Sequence, residues 1–453
     1  MASATLAPPL ASPTQAPIWM EKFVIEGGYP LSGSVVPAGN KNAALPALAA
    51  CLLTEEQVVL RNIPRIDDVE AMLGLLEGIG VRVQWREDNV VALCAADARP
   101  GDVDPELSER IRASFLLAGP LLARFGSADM PPPGGDVIGR RRLDPHLDAF
   151  LALGAEIELT RGEYRLRAGA GGLKACDFFL DEPSVMATEN ALMAAALTPG
   201  STVIHNSASE PHVQDLARVL LQMGARVEGI GSNVMVVHGR DRLGGADYTI
   251  GPDYIEVASF AALAAVTGGE LRVKDVVRED LRMTCLVFER LGCRLTFEDQ
   301  DLVVPPDQTL RVRDDAGDEM AKIEDGPWPA FPADLTSIAL ALATQSDGMV
   351  LMHEKMFENR LFFVDKLINM GARVILCDPH RAVVAGPRRL HGERMESPDI
   401  RAGMALLIAA LCAEGTSEIG NIRQIDRGYE RIDERLRALG ARIERVATQP
   451  VPA

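Results

Sequence analysis

The chain has 453 residues, 47% of them apolar and 24% charged, enough for two hydrophobic cores rather than one. Its formal charge of -18 argues against nucleic acid as a partner, and no apolar run reaches the ~18 residues of a membrane span. Seven cysteines, odd in number and without a CxxC pair, argue against a disulfide frame or a metal site and suit the reduced thiols of a cytoplasmic protein.

Residues 1–19 are rich in Pro, Ala, Ser and Thr, and the first basic residue is Lys22, so this stretch reads as a disordered tail without the positive leader of an export signal. Beyond it, an apolar helix end, a glycine and an alternating strand recur six times. The glycines are Gly80, Gly154, Gly224, Gly292, Gly371 and Gly440, spaced 68 to 79 residues apart. Each predicts a residue at positive φ just past a helix. Apolar strands ending in Asn62, Asn206, Asp275 and Asn421 precede most of these helices. One such glycine is an ordinary helix stop; six at near-constant spacing mark duplicated strand, helix, strand modules of about 70 residues. Three modules per globule fit the two cores expected from length and give an α/β architecture.

The chemistry-bearing stretches begin with Gly39 to Pro46, where Lys41 and Asn42 stand at a helix start suited to a phosphate or carboxylate. Arg112 heads the apolar run from Phe115 to Ala123. Residues 130–146 follow, with three prolines, Gly134, Gly135, Asp136 and the arginines 140, 141 and 142. Such a run cannot be helix or central strand and reads as an exposed lid. Three prolines between Asp325 and Asp334 deliver a carboxylate beside Trp328 and Phe331, and apolar packing there predicts a raised pKa, useful in a base. Further on come Met356 to Arg360, Asp399 with Arg401, and Ile425 to Glu430. Taken singly, a loop lysine, a helix-start arginine or a charged helix face is also ordinary solvated surface.

Taken together, Gly39-x-Lys-Asn-Ala-Ala-Leu-Pro46, Arg112-Ala-Ser114, Pro133-Gly-Gly-x-x-Ile-Gly-x-Arg141, Pro183-Ser-Val-x-Ala-Thr-Glu-Asn190, Ala330-Phe-Pro-x-Asp334, Phe357-Glu-Asn-Arg360, Asp399-x-Arg401 and Ile425-Asp-Arg-Gly-Tyr-Glu-Arg431 resemble, in order, the motif set of the UDP-N-acetylglucosamine 1-carboxyvinyltransferase family of enolpyruvyl transferases. The resemblance spans residues 20–446. It implies two inverse α/β barrels, each of three βαβαββ repeats with helices inside, and an active site in the cleft between them. It places 42–251, with the lid loop 130–146, in the first barrel and 20–41 plus 252–446 in the second.

The implied reaction moves the enolpyruvyl group of phosphoenolpyruvate to the 3'-hydroxyl of UDP-N-acetylglucosamine and releases phosphate, an early step of peptidoglycan precursor synthesis needing no metal or organic cofactor. The same comparison gives Lys41, Arg141 and Arg427 to phosphoenolpyruvate. Asn42, Arg112, the stretch Arg141, Arg142, Leu143, Asp144 and Pro145, then Ser184, Val185 and Met356 fall around the nucleotide sugar, and Asp334 accepts a hydrogen bond from the attacking hydroxyl. Arg360, Asp399 and Arg401 complete the implied substrate-binding set. Asp136 stands where most members carry a cysteine that donates a proton. A carboxylate is ionised near neutrality unless its surroundings raise its pKa above ~3.9, and it is a poor nucleophile toward fosfomycin, so resistance to that drug is expected. Glu182 stands where some members have lysine and Met186 where glycine is usual, both at the nucleotide end. Open alternatives are an enolpyruvyl transferase with another nucleotide or a shikimate-type acceptor, and a non-catalytic sugar-nucleotide-binding paralogue.

Overall fold

The computed structural model of this chain describes residues 21–101, 103–160 and 162–448. The tail expected over 1–19 lies outside these residues. Six sheets surround two separate hydrophobic cores, one gathering side chains from Ala43 to Ile250 and the other joining Phe23 to Val35 with Tyr254 to Ile443.

Two repeats are continuous in sequence. Strand Asp177–Phe179, helix Val185–Ala196, strand Ser201–His205, helix Pro211–Gln222 and strands Arg226–Glu228 and Val234–His238 form one βαβαββ unit. In its sheet the first strand runs parallel to its neighbour and the other two steps are antiparallel. The stretch from Ala321–Glu324 to Arg381–Gly386 repeats that pattern. Other repeats are closed by distant strands. Glu21–Glu26 pairs with both Thr416–Gly420 and Arg442–Ala447, Gly33–Val35 with Leu271–Val273, and Ala246–Thr249 with Gln57–Arg61. The sixth sheet, Ser127–Met130, Glu163–Ala168 and Ala155–Thr160, has three strands among the described residues. Its repeat carries the loop with Asp136.

The division of labour between helix and strand follows from side-chain pattern. Strand Ser201–His205 alternates exposed and buried residues, so one face meets solvent. Helix Val185–Ala196 is buried from Ala187 to Ala196, and helix Tyr254–Thr267 from Tyr254 to Ala265, because apolar residues run round both and polar ones such as Asn190 and Glu256 are hydrogen-bonded inside. Such helices belong in the middle with sheets outside, which is the inverse barrel.

All six recurrent glycines have the expected positive φ, from 81° at Gly292 to 101° at Gly440. The strand-end residues Asn62, Asn206 and Asn421 are also left-handed, at 58°, 55° and 50°. Each donates its side-chain amide to the carbonyl of Ile250, Leu180 or Ser397, at 3.0, 2.9 and 2.8 Å, pinning the central strand end to the segment that closes the sheet. The repeated Asn is therefore a fastening, and it leaves the chain turned toward the next helix.

At Gly224, φ is 95° and an added Cβ would have no atom within 4 Å, so Gly224→Ala adds backbone strain alone. Urea unfolding should show a loss of about 1–2 kcal/mol. Gly239→Ala, whose Cβ would fall 1.6 Å from the Thr198 carbonyl oxygen, should lose more.

Candidate active site

The two cores face one another across a cleft, and side chains from both meet there. Asn40 caps helix Lys41–Ala50 by accepting from the Ala43 amide, which fixes Lys41 in the first turn. Lys41 is buried, with Nζ 2.6 Å from Asp68. Arg427, from the far half, places Nε 2.8 Å from the same carboxylate and also pairs with Asp136. Arg141 Nη2 donates to the Asp136 carbonyl at 2.7 Å, and Arg112 Nη2 to the Arg141 carbonyl at 2.6 Å. Lys41, Asp68, Arg427, Asp136, Arg141 and Arg112 are thus one continuous chain of contacts across the cleft.

The loop expected as a lid is tied down at a second point. The Arg140 amide donates to Glu358 Oε2 at 3.1 Å, and the Asn359 amide donates to the Ile138 carbonyl at 2.9 Å. Glycine suits residue 139, where φ is 140° and a Cβ would lie 3.0 Å from the Glu358 amide nitrogen as well as 2.2 Å from its Oε2. Closure and the Asp136 to Arg427 contact therefore come from the same seating of one loop.

A second cluster sits on the far side. Arg360 Nη2 is 2.7 Å from Asp334 Oδ1, and Arg401 Nε is 3.1 Å from Asp334 Oδ2. Asp399 caps helix Ile400–Cys412 through the Arg401 and Ala402 amides, which sets the Arg401 backbone. Burial alone would raise the Asp334 pKa, as the sequence predicts. Arg401, Arg360 and Lys41 overcome burial and hold it well below the usual carboxylate range. The expected raised pKa is therefore corrected: Asp334 is a fixed anion. Arg112 shows the converse, since burial and the neighbouring Arg141 pull it down to about 10.

The cleft has a volume of about 620 Å³. Of the residues singled out from sequence, Asn42, Arg112, Arg141, Arg142, Ser184, Val185, Asp334, Met356 and Arg360 line it. Lys41, Asp136, Asp399, Arg401 and Arg427 lie in the ion networks beside it. Leu143, Asp144 and Pro145 are not brought to its wall; they begin helix Asp144–Ala152, where Leu143 and Pro145 are buried. Arg142 is held by Asp181 at 2.7 Å, with Glu182 at 3.9 Å, so the acidic residue at position 182 has a cation beside it.

Sequence reasoning missed Asp68, which lies among three acidic residues in the first turn of helix Asp67–Gly78 and reads as a helix-dipole partner. It also missed Glu210 and His212 on the cleft wall, where Trp328 of the Pro-rich run lies as well. Only the Pro-rich run around Trp328 carried a signal.

A family profile for EPSP synthase (3-phosphoshikimate 1-carboxyvinyltransferase) matches residues 25–436. A UDP-N-acetylglucosamine 1-carboxyvinyltransferase of Bradyrhizobium diazoefficiens is 58% identical over 94% of this chain and 98% of its own. The chain belongs to the UDP-N-acetylglucosamine 1-carboxyvinyltransferase family. A relative of that name from Treponema denticola is 52% identical over 94% of this chain and 99% of its own. In fold, the chain is similar to the enolpyruvyl transferase NikO from Streptomyces tendae, with TM-score 0.84, 24% identity and coverage of 95% of this chain and 100% of that one. EPSP synthase from Acinetobacter baumannii follows at TM-score 0.74 and 18% identity, over 94% of this chain and 100% of that one. Two inverse α/β barrels are thus the architecture of these enolpyruvyl transferases, with this chain's cation-lined cleft between the halves.

The Asp68 carboxylate, between Lys41 and Arg427, should couple the halves measurably. Burial raises its pKa, but the two cations more than offset this and leave it lowered. Its stabilisation is therefore complete above the unfolded value of ~3.9 and is lost as pH falls through the lower folded value. Asp68→Asn, which strands two buried cations, should cost about 3 kcal/mol at neutral pH by urea unfolding. The gap from wild type should shrink as pH drops below about 4.

Proposed function

We propose that this protein transfers the enolpyruvyl group of phosphoenolpyruvate to the 3'-hydroxyl of UDP-N-acetylglucosamine, releasing phosphate, and does so in the cytoplasm as part of peptidoglycan precursor synthesis. The observation that carries the reading is that Lys41 and Arg427 share Asp68 while Arg427 and Arg141 both contact Asp136, at a cleft of about 620 Å³.

Phosphoenolpyruvate presents a phosphate and a carboxylate, and fixed arginines suit both. Lys41, Arg141 and Arg427 bind it. Asn42, Arg112, Ser184, Val185 and Met356 hold the nucleotide sugar along the wall. Asp136 then gives a proton to the methylene carbon, so positive charge develops at the carbon bearing the phosphate. The sugar hydroxyl attacks that carbon, forming a C–O bond, while its proton leaves along its hydrogen bond to Asp334. The Asp136 carboxylate takes a methyl proton back as phosphate departs, which restores the double bond. Because Asp334 is a fixed anion between Arg360 and Arg401, its main work is to orient the hydroxyl and offset developing positive charge.

Phosphate release measured with phosphoenolpyruvate and a panel of acceptors tests this directly. UDP-N-acetylglucosamine should be turned over and shikimate 3-phosphate should not. Asp136→Asn should lose on the order of 100-fold or more in kcat, since an amide cannot supply the proton. Asp136→Cys should keep measurable turnover and acquire time-dependent inactivation by fosfomycin, which the unsubstituted protein should resist. Arg427→Ala should raise KM for phosphoenolpyruvate far more than it lowers the melting temperature.

A further inference from the structure

Behind the second-half wall of the cleft, several buried side-chain atoms face one another without a hydrogen-bond partner: Asp325 Oδ2, Glu354 Oε2, Thr336 Oγ1 and Arg360 Nε. Asp325 and Glu354 are 1% and 0% exposed, so water does not reach either carboxyl. Their other oxygens are engaged. Asp325 Oδ1 accepts from the Lys355 amide and Glu354 Oε1 from the Phe357 amide at 3.1 Å. Asp325 and Glu354 each follow one member of the paired residues Glu324 and His353 on adjacent parallel strands, the Asp325 amide donating to the His353 carbonyl at 3.3 Å, so the two carboxyls are neighbours. Thr336 and Arg360 bring donors to the pair, yet two ionised carboxylates side by side would still repel each other at full desolvation cost. One proton between them satisfies both oxygens and removes one buried charge.

The position of the pair gives it consequence. Asp325 opens the turn through Gly326, Pro327 and Trp328, closed by the Gly326 amide on the Phe331 carbonyl at 3.0 Å and ending at Asp334. Glu354 opens the stretch through Met356 and Phe357 to Arg360. Both stretches line the cleft. Linking their first residues holds the two walls at a fixed spacing and sets Arg360, which reaches Asp334.

We propose that Asp325 and Glu354 share a single proton and act as a buried clasp that positions Arg360 and the Trp328 and Met356 walls for the acceptor substrate. The proposal rests on the enolpyruvyl reading for the identity of that acceptor. The pair touches no substrate, so both are positioning residues.

Groups from every neighbouring element face the clasp. Thr336 comes from helix Thr336–Ala343, Arg360 lies beyond Glu354, and His380 brings its Nδ1 to 2.8 Å from the Glu354 carbonyl oxygen. His353 and Lys355 turn away toward Glu324. Burial and then the Asp325 carboxyl push Glu354 up to about 8, against the smaller opposing effects of Arg360 and Thr336. A carboxyl raised above its unfolded value stabilises fully below that unfolded value and loses the contribution as pH rises through the folded one. The clasp should therefore open on the alkaline side of neutrality.

The test compares wild type, Glu354→Gln and Glu354→Ala, because glutamine supplies a permanent donor where the shared proton sits. In wild type, KM for UDP-N-acetylglucosamine should rise several-fold between neutrality and pH about 9 with a smaller change in kcat, and the melting temperature should fall over the same range. In Glu354→Gln both dependences should flatten, and in Glu354→Ala KM should be high throughout. An alkaline rise in Glu354→Gln matching wild type, or a Gln variant as impaired as the Ala variant, would overturn the clasp. Melting against pH needs no substrate, so it decides the clasp even if no variant releases phosphate, an outcome that would sink the enolpyruvyl reading instead.

Discussion

A chain with a formal charge of -18 must hold Lys41, Arg112, Arg141, Arg360, Arg401 and Arg427 beside one cleft, and that electrostatic demand organises what surrounds it. Buried cations are tolerable only with counter-charges at contact distance. Asp68, Asp136, Asp334 and Asp399 supply them: Asp68 is shared by Lys41 and Arg427, and Asp334 by Arg360 and Arg401. These six cations gathered beside one cleft suit a ligand bearing phosphates and a carboxylate. The depressed Arg112 and the lowered Asp334 are two consequences of that crowding.

The fold supplies the rigidity this arrangement needs. Arg401 is fixed by the Asp399 cap of a fully buried helix, and Lys41 by the Asn40 cap of another, so two of the six charges sit at helix starts that cannot tilt without disturbing a core. Asp136, Arg141 and Arg142 are instead carried by the loop after Met130, in the one repeat with a three-stranded sheet among the described residues, and that loop is held by Glu358 and Asn359.

The repeat glycines and strand-end asparagines were legible because their cause is local: a chain leaving a helix or a strand needs a left-handed residue, and few residue types accept it. The motif residues were legible as types at fixed spacing. What escaped depends on distance in the sequence. Asp68 resembled any acidic first-turn residue until Arg427, 359 positions away, closed on it. The direction of the Asp334 shift was misread because its immediate neighbours are apolar while its deciding partners are 26 and 67 residues away. Leu143 to Pro145 were drawn to the cleft by their place in a motif, whereas a helix start buries Leu143 and Pro145 in the first half and leaves Asp144 exposed. The Asp325 and Glu354 pair had no signature, since two acids 29 residues apart are unremarkable unless both are buried.

The account stands on one chemical event, the appearance of an enolpyruvyl ether on the sugar of a UDP-sugar. Mass spectrometry of the nucleotide recovered after incubation with phosphoenolpyruvate and UDP-N-acetylglucosamine reads it without an indirect signal. The account predicts a UDP-sugar heavier by one enolpyruvyl group, formed in equal amount to the phosphate released. Recovery of the UDP-sugar unchanged, with phosphoenolpyruvate intact or its phosphate released without an acceptor gaining mass, would contradict it.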